Sequence, residues 1–512
     1  MRPSRNWILM ILLVPVLLSG CFGGSNKDTK SADTTGDNPK RPAIPDNPAS
    51  PRFAVSKAGE QRPAAPNLKG RQADDATWQK LADKAKQDGT VAVIVALNVN
   101  ARPEGSLSQA DRGAQRAAIA KTRESVLGDL GGTNVSKVKN FAEVPYVAMH
   151  VSPEALAALE KSPAVVGISE DELVPLPDDE MGSARNATTP NDELANWWDL
   201  SDTNAYTAWK NGYDGRGQTV AILDTGVQSD HPWLSGKVVS EACYSTLAIG
   251  ATEGNCPNGT WVQTGSGSAR PCTFDADRCK HGTHVAGTAA GSYAGIAYQA
   301  KIIAVQVFHN EPGKGARSFT SDQLWGMKWV YDHRKQWKIA AVNLSIGGGR
   351  ATATCDDRTN NKSFYSWAWT LTSVGIATVV SSGNDGYSDA ISSPACNSDV
   401  ISVGNSTLDS NGQDAVYSGS NSASFLSVLA PGTQICSSVP VNSSECGWTG
   451  TSMAAPHVTG AIASLKELRP GASVNSELAA LQQSGSPISD SRNGVTKSRI
   501  DVWKAIVYLH NH

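Results

Sequence analysis

A chain of 512 residues, 40% hydrophobic and 18% charged, is long enough for two or three domains with sizeable cores and has the composition of a globular protein, which excludes disorder throughout. Its formal net charge of −3, with no basic run of the kind that tracks phosphates, excludes a polyanion-binding surface, so nucleic acid is not an expected partner.

In chain order, Arg2 and Arg5 precede the apolar stretch WILMILLVPVLL. It is short for a bilayer span and ends in small residues, which is the pattern of an export signal, expected over residues 1–20. The sequence Leu18-Ser19-Gly20-Cys21 resembles the lipobox of bacterial lipoproteins. That resemblance implies cleavage before Cys21, a thioether-linked diacylglycerol on its sulfur and anchoring at the cell envelope, since each buried methylene contributes about 0.8 kcal/mol. Residues 21–72 are rich in Gly, Ser, Asp, Asn and Pro and read as a flexible tether.

A first compact unit is expected over residues 73–178. TVAVIVALNV reads as a buried strand, QADRGAQRAAIAKTRESVLGDL as a helix, VSKVKNFAEVPYVAMHVS as two strands with a turn, PEALAALEKS as a helix and AVVGISEDELV as a single last strand. That βαββαβ order is the ferredoxin-like α+β arrangement, which hosts many functions and indicates none by itself. A polar segment, PDDEMGSARNATTPNDE, then marks a proteolysis-prone boundary. From residue 179 to 512, apolar strands alternate with helical stretches, which predicts an α/β domain with a mainly parallel sheet and helices on both faces.

Reactive groups in such a sheet collect at the carboxyl ends of strands, where Asp224 closes the apolar run in VAILDTG. A carboxylate placed there needs a partner, and a His donor would satisfy it while fixing the imidazole tautomer. His281 opens HGTHVAGTAAG, with Gly282 allowing close approach. His284, one turn on, lacks the Glu of a metal-binding HExxH and reads as a packed polar residue. In GTSMAAPHVTG, Ser452 stands at a helix mouth, where backbone N–H groups and the helix dipole favour an oxyanion. Gly450 and Thr451 are expected to keep the approach clear, Ala454, Ala455 and Gly460 to let the helix pack tightly, and Pro456 to fall in the first turn, where a missing N–H is tolerated. Asn384, on a Gly-flanked loop after a buried strand, is a candidate second oxyanion donor.

Together, AILDTGV, HGTHVAG and GTSMAAPHVTG, in the chain order Asp, His, Ser, resemble the subtilisin-like serine proteases, the subtilase family. The resemblance covers about residues 195 to 510, and the preceding βαββαβ unit resembles the family's inhibitory propeptide. It implies a serine endopeptidase acting on polypeptides, with Ser452 as nucleophile, His281 as base, Asp224 orienting the imidazole, and Asn384 with the Ser452 N–H as oxyanion hole. It also implies that Ser345, Ile346 and Gly347 in NLSIGGG pair with extended substrate. The protein is expected to be a monomer that needs no cofactor for chemistry, with structural calcium allowed.

The implied life history is a zymogen whose N-terminal unit acts as intramolecular inhibitor and is cut away by self-cleavage within residues 174 to 195. The lipid on Cys21 would stay with that unit, and the enzyme would remain at the envelope or be released. Setting Cys21 aside leaves an even set of cysteines, Cys243, Cys256, Cys272, Cys279, Cys355, Cys396, Cys436 and Cys446, which suits disulfides in an exported protein. Proximity and family habit suggest Cys436 with Cys446 and Cys355 with Cys396. Without a CxxC pair, zinc is the weaker reading.

The Cys-rich stretch between Asp224 and His281 exceeds the short family loop, so calcium ligands cannot be carried over there. Asp275 and Asp277 are cation candidates or an exposed acidic turn, and Asp385 and Asp389 would favour basic substrates unless solvated. Two rival readings remain. An aspartic protease would need a second DTG carboxylate in the same site, and this chain has one. A non-enzymatic surface lipoprotein would be expected to have lost a catalytic residue.

Overall fold

The computed structural model describes Ile44 and residues 74–181, 183–184, 197–247, 254–358 and 361–512. The export signal and Cys21 lie outside the described residues.

The sheet of the larger region runs, edge to edge, through Ser486–Ser489, Thr496–Arg499, Val428–Pro431, Ile401–Leu408, Ala377–Ser381, Ile339–Leu344, Thr219–Asp224, Lys301–Gln306, Val238–Tyr244 and Val262–Thr264. The pairings from Thr496–Arg499 to Val238–Tyr244 are parallel, the two edges close antiparallel, and a short strand, Asp414–Val416, adds antiparallel to Ile401–Leu408. Strand Thr219–Asp224 is buried along its whole length, as a strand covered on both faces must be. Val220 and Ile222 face a core built with Val285 and Ala286 of helix His281–Ala290 and Met453 and Val458 of helix Thr451–Leu468. Ala221 and Leu223 face the opposite core, with Leu324 and Met327 of helix Thr320–His333 and Trp367 of helix Lys362–Ser373. One period-two strand therefore serves both layers, and its last residue, Asp224, emerges at the carboxyl edge.

The smaller unit has the expected ferredoxin-like sheet, in the order Val135–Asn140, Tyr146–Val151, Val91–Leu97, Val165–Glu170. A helix not anticipated from the sequence, Asp75–Asp88, precedes it, capped by the Asp74 carboxylate on Thr77 N. Val91, Val93 and Val95 face the unit's own core, whereas Ile94, Ala96, Tyr146 and Ala148 share the core beneath helices Thr320–His333 and Lys362–Ser373. The unit thus docks by its sheet, with Phe141 edge-on to Trp367 at 5.9 Å between ring centres.

Buried polar groups fix that docking. Lys139 Nζ stands 2.7 Å from Asp322 Oδ1, and Asp171 Oδ1 accepts from Ser321 N at 2.9 Å, capping the helix of the other region. Burial, only partly offset by Lys139, pushes the Asp171 carboxyl up to about 6. Glu104 takes a two-pronged contact from Arg116 at 2.6 and 2.8 Å and a hydrogen bond from Tyr331.

The expected single last strand is in fact two. Val165–Glu170 pairs within the unit, but Leu173–Pro175 leaves it and pairs antiparallel with Gly315–Phe319 of the larger region. The chain turns where Asp171 is drawn to Ser321.

Among the described residues four disulfides are present: Cys243–Cys256, Cys272–Cys279, Cys355–Cys396 and Cys436–Cys446. Two are the expected pairs, and the other two staple the long insertion before His281.

Candidate active site

Asp224 is fully buried, and its Oδ1 accepts from Thr225 N at 2.7 Å and from His281 Nδ1 at 2.7 Å. The approach depends on Gly282: a Cβ there would lie 2.4 Å from the Gly226 carbonyl oxygen and 3.0 Å from Asp224 Oδ1. The Gly282 N–H in turn donates to Thr225 Oγ1 at 3.0 Å. Asp224 and His281, singled out on separate motifs, are brought together. His284 packs against Trp448, ring centres 4.6 Å apart, and burial, then repulsion from His281, holds its imidazole well below the ordinary value.

Ser452 lies in the first turn of helix Thr451–Leu468, fully buried, and its hydroxyl has no hydrogen-bond partner among the described residues. Pro456 corrects the expectation made for it. It lies in the second turn, where its missing N–H deprives the Ser452 carbonyl, four residues back, of its intrahelical donor. Ser345 supplies the substitute: its hydroxyl donates to Ser452 O at 2.8 Å and accepts from Asn343 Nδ2 at 3.0 Å. Strand Ile339–Leu344 and its extension therefore set the height of the helix mouth.

Thr451 does more than keep the approach clear. Its N–H and its hydroxyl both donate to Asn384 Oδ1, at 2.9 and 2.8 Å. With its carbonyl end fixed, the Asn384 amide can present only its NH₂ to the crevice. A second carboxylate waits there. Asn384 Nδ2 donates to Asp179 Oδ1 at 2.7 Å, and Asp179 Oδ2 stands 3.0 Å from His281 Nε2. The Asp179 side chain is 4% exposed, and a Cβ on Gly450 would lie 1.8 Å from its Oδ1, so the bare residue beside Ser452 makes room for it.

Both ring nitrogens of His281 now face carboxylates, and only the doubly protonated imidazolium can donate to both. Burial alone would lower its pKa, but the Asp224 and Asp179 carboxylates overcome that and push it up to about 10.

The segment carrying Asp179 runs through the crevice. Leu173–Pro175 pairs with Gly315–Phe319, and Leu176 N donates to Ala316 O at 3.4 Å. Beyond Asp179, Glu180 exchanges backbone hydrogen bonds with Thr449 at 2.9 and 2.8 Å, and Ser183–Ala184 pairs with Glu445–Cys446. Gly347 lines the wall facing residues 175–178, together with Gly348 and Ser392. Ile346 is buried in the core that also holds Leu176. The added strand thus takes its ladder from Gly315–Phe319, a strand not singled out from the sequence.

Asp275 and Asp277 sit against Arg278 and Lys280, and among the described residues no group of three or more His, Cys, Asp or Glu side chains could hold a metal ion. Asp389 pairs with Arg350, and Asp385 Oδ2 accepts from Asn421 Nδ2 at 2.9 Å.

Comparison with known proteins gives the class first: the fold and its relatives are those of a serine protease. A profile of the subtilase family, Peptidase_S8, matches residues 215–496. The chain is similar to an alkaline protease of Alkalihalobacillus alcalophilus, 30% identical over 356 residues covering 69% of this chain and 77% of that protein. It is 29% identical to subtilisin-like protease 9 of Arthroderma benhamiae, covering 71% of this chain and 80% of that protein. The structure of fervidolysin from Fervidobacterium pennivorans, described as a keratinolytic enzyme related to subtilisin, shares the fold with a TM-score of 0.56 at 20% identity, covering 81% of this chain and 61% of its own. The chain belongs to the subtilase family and is a subtilisin-like serine protease.

Proposed function

We propose that the protein is a serine endopeptidase made as a self-processing zymogen, with Asp224, His281 and Ser452 as its triad and Asn384 as oxyanion donor. The observation that carries this reading is a single segment, residues 173–181, laid through the crevice with the Asp179 carboxylate on His281 Nε2 and Asn384 Nδ2. In that state the imidazolium cannot accept a proton and Ser452 is idle, which is a latent enzyme.

The peptide bond best placed for self-cleavage joins Asp178 to Asp179. Asn384 Nδ2 lies 3.4 Å from the Asp178 carbonyl oxygen, and Glu180 is paired with Thr449 on the far side. Once the Asp179 side chain withdraws and the imidazolium loses its Nε2 proton, Ser452 Oγ attacks the Asp178 carbonyl carbon while His281 Nε2 takes the hydroxyl proton. Asn384 and the Ser452 N–H hold the oxyanion, and His281 returns the proton to the departing Asp179 nitrogen. Water, deprotonated by His281 Nε2, then adds to the acyl carbon, the bond to Ser452 Oγ breaks as His281 returns the proton to that oxygen, and Asp178 leaves as a new carboxylate.

Residues 73–178 are the propeptide in this reading and act as the intramolecular inhibitor. The export signal and Cys21 place the precursor at the bacterial envelope by a lipid that the cut leaves on the propeptide; metabolic labelling with an alkyne fatty acid would then tag only the N-terminal fragment.

The test is expression of the chain and of Ser452→Ala in a protease-free host. The parent should yield an enzyme beginning at or near Asp179 that a serine-reactive phosphonate labels, and the variant a full-length precursor. Normal processing of the variant would overturn the reading.

A further inference from the structure

Asp178, the residue just ahead of the one seated on His281, does not turn into the wall of glycines opposite. Its Oδ1 accepts from Arg278 Nη2 at 2.8 Å, while Arg278 Nη1 reaches the Leu176 carbonyl at 3.5 Å. One guanidinium thus spans a backbone carbonyl and the carboxylate two residues on. Arg317, directly across the strand pair from Pro175, contributes a second cation. Burial lowers its guanidinium pKa first, repulsion from Arg278 lowers it further, and attraction to Asp178 raises it. Lys314 lines the same cavity, of about 390 Å³. Of the nearby acids, Asp385 lies on the wall of the cavity with one oxygen on Asn421, and Asp275 is 3.9 Å from Arg278 Nε. Arg278 and Arg317 therefore line one cavity, Arg278 on the Asp178 carboxylate at 2.8 Å and Arg317 drawn to both Asp178 and Glu311.

We propose that Arg278 and Arg317 are specificity-determining residues that make this enzyme prefer acidic peptides, with Asp or Glu at the position occupied by Asp178. This rests on the serine-endopeptidase reading above and adds the substrate class to it. Arg278 is fixed to the enzyme by position as well as by charge: it precedes Cys279, which is bonded to Cys272, and His281 follows two residues later. The guanidinium therefore keeps its place after the propeptide leaves. Exchanging the Arg278–Asp178 attraction for repulsion of a Lys, beside a second cation lining the same cavity, favours Asp over Lys by about tenfold in kcat/KM at an exposed site. Because the Asp178 side chain is 91% exposed, added salt compresses the preference.

The experiment uses processed enzyme and internally quenched peptides of sequence Leu-Pro-Xaa-Asp-Glu, with Xaa as Asp, Asn or Lys, at low and at 1 M salt. Expected is the order Asp, Asn, Lys, spread over about tenfold at low salt and collapsed at high salt. The double charge reversal R278E/R317E should invert the order. The same reversal should rescue processing of an Asp178→Lys precursor, a swap that a merely structural role for the arginines would not restore. Cleavage of all three peptides at equal rates, or faster cleavage of the Lys peptide by the parent enzyme, overturns the proposal and leaves the protease reading standing. Failure to cleave any peptide, together with no phosphonate labelling, overturns both.

Discussion

Two carboxylates hold opposite nitrogens of one imidazole, yet the regions that carry them are built on different terms. Asp224 closes a central strand buried on both faces, and its partners Thr225 and Gly282 are fixed by the sheet and by a helix start. Asp179 sits on a crossing segment held by Leu173–Pro175, the Glu180–Thr449 pair and Ser183–Ala184. In the proposed reading the first orients the ring through every turnover, because the sheet and the helix start leave it nowhere to go. The second can be removed at the loss of a few backbone hydrogen bonds, each worth about 1 kcal/mol net. The same hydrogen-bond chemistry thus acts as a permanent support on one side and as a removable stop on the other.

The comparison can be broken most severely at its permanent side. Asp224→Asn keeps the shape but loses the charge that orients the ring and stabilises the imidazolium, and kcat should fall about 10⁴-fold, a magnitude borrowed from subtilisin and related triads and read by steady-state kinetics on the processed enzyme. Breaking the dock of the N-terminal unit should rank next. Lys139→Met leaves Asp322 and Asp171 facing each other in a buried interface, and should weaken docking by about 3–5 kcal/mol. Hydrogen exchange in helix Thr320–His333 of a Ser452→Ala precursor, followed through a urea titration, would register it.

Asn384→Ala should lower kcat by about 10²- to 10³-fold, again the range known from subtilisin itself. Thr451→Val removes one of the two donors that aim the Asn384 amide and should lower kcat by about fivefold with KM little changed, since one hydrogen bond to an oriented group is worth about 1 kcal/mol. The removable side should respond oppositely. Asp179→Asn should shorten the precursor's half-life by about tenfold, the equivalent of one pKa unit at His281. Its pH dependence follows from the raised value at His281. That contribution to the latched state is complete below about 6.5 and is lost as pH rises toward about 10, so the precursor should process faster as the medium becomes alkaline.

How much of this was legible in the sequence depended on how local each signal was. Asp224 closing an apolar strand, Gly282 beside His281 and small residues behind Ser452 each state their role within a few positions, and the alternation of strands and helices stated the fold. Pro456 lies a turn deeper than its motif suggests, tolerated because Ser345, which replaces its missing N–H at the Ser452 carbonyl, comes from a distant strand. Thr451 looked like clearance because its hydroxyl finds Asn384 only after the chain returns across the sheet. Asp179 was hidden in a polar run with the composition of a spacer, and Arg317 belongs to a strand whose pairing partner comes from the other unit. Contacts between units leave no periodicity, which is why the latch was the part the sequence withheld.

The account turns on the state of one ring. In a Ser452→Ala precursor, isotope-edited NMR of His281 should find the imidazolium persisting up to a pH of about 10, and Asp179→Asn should bring that titration down while Asp224 remains in place. A ring that titrates near 6.5, the ordinary histidine value, with Asp179 present or replaced, would contradict it.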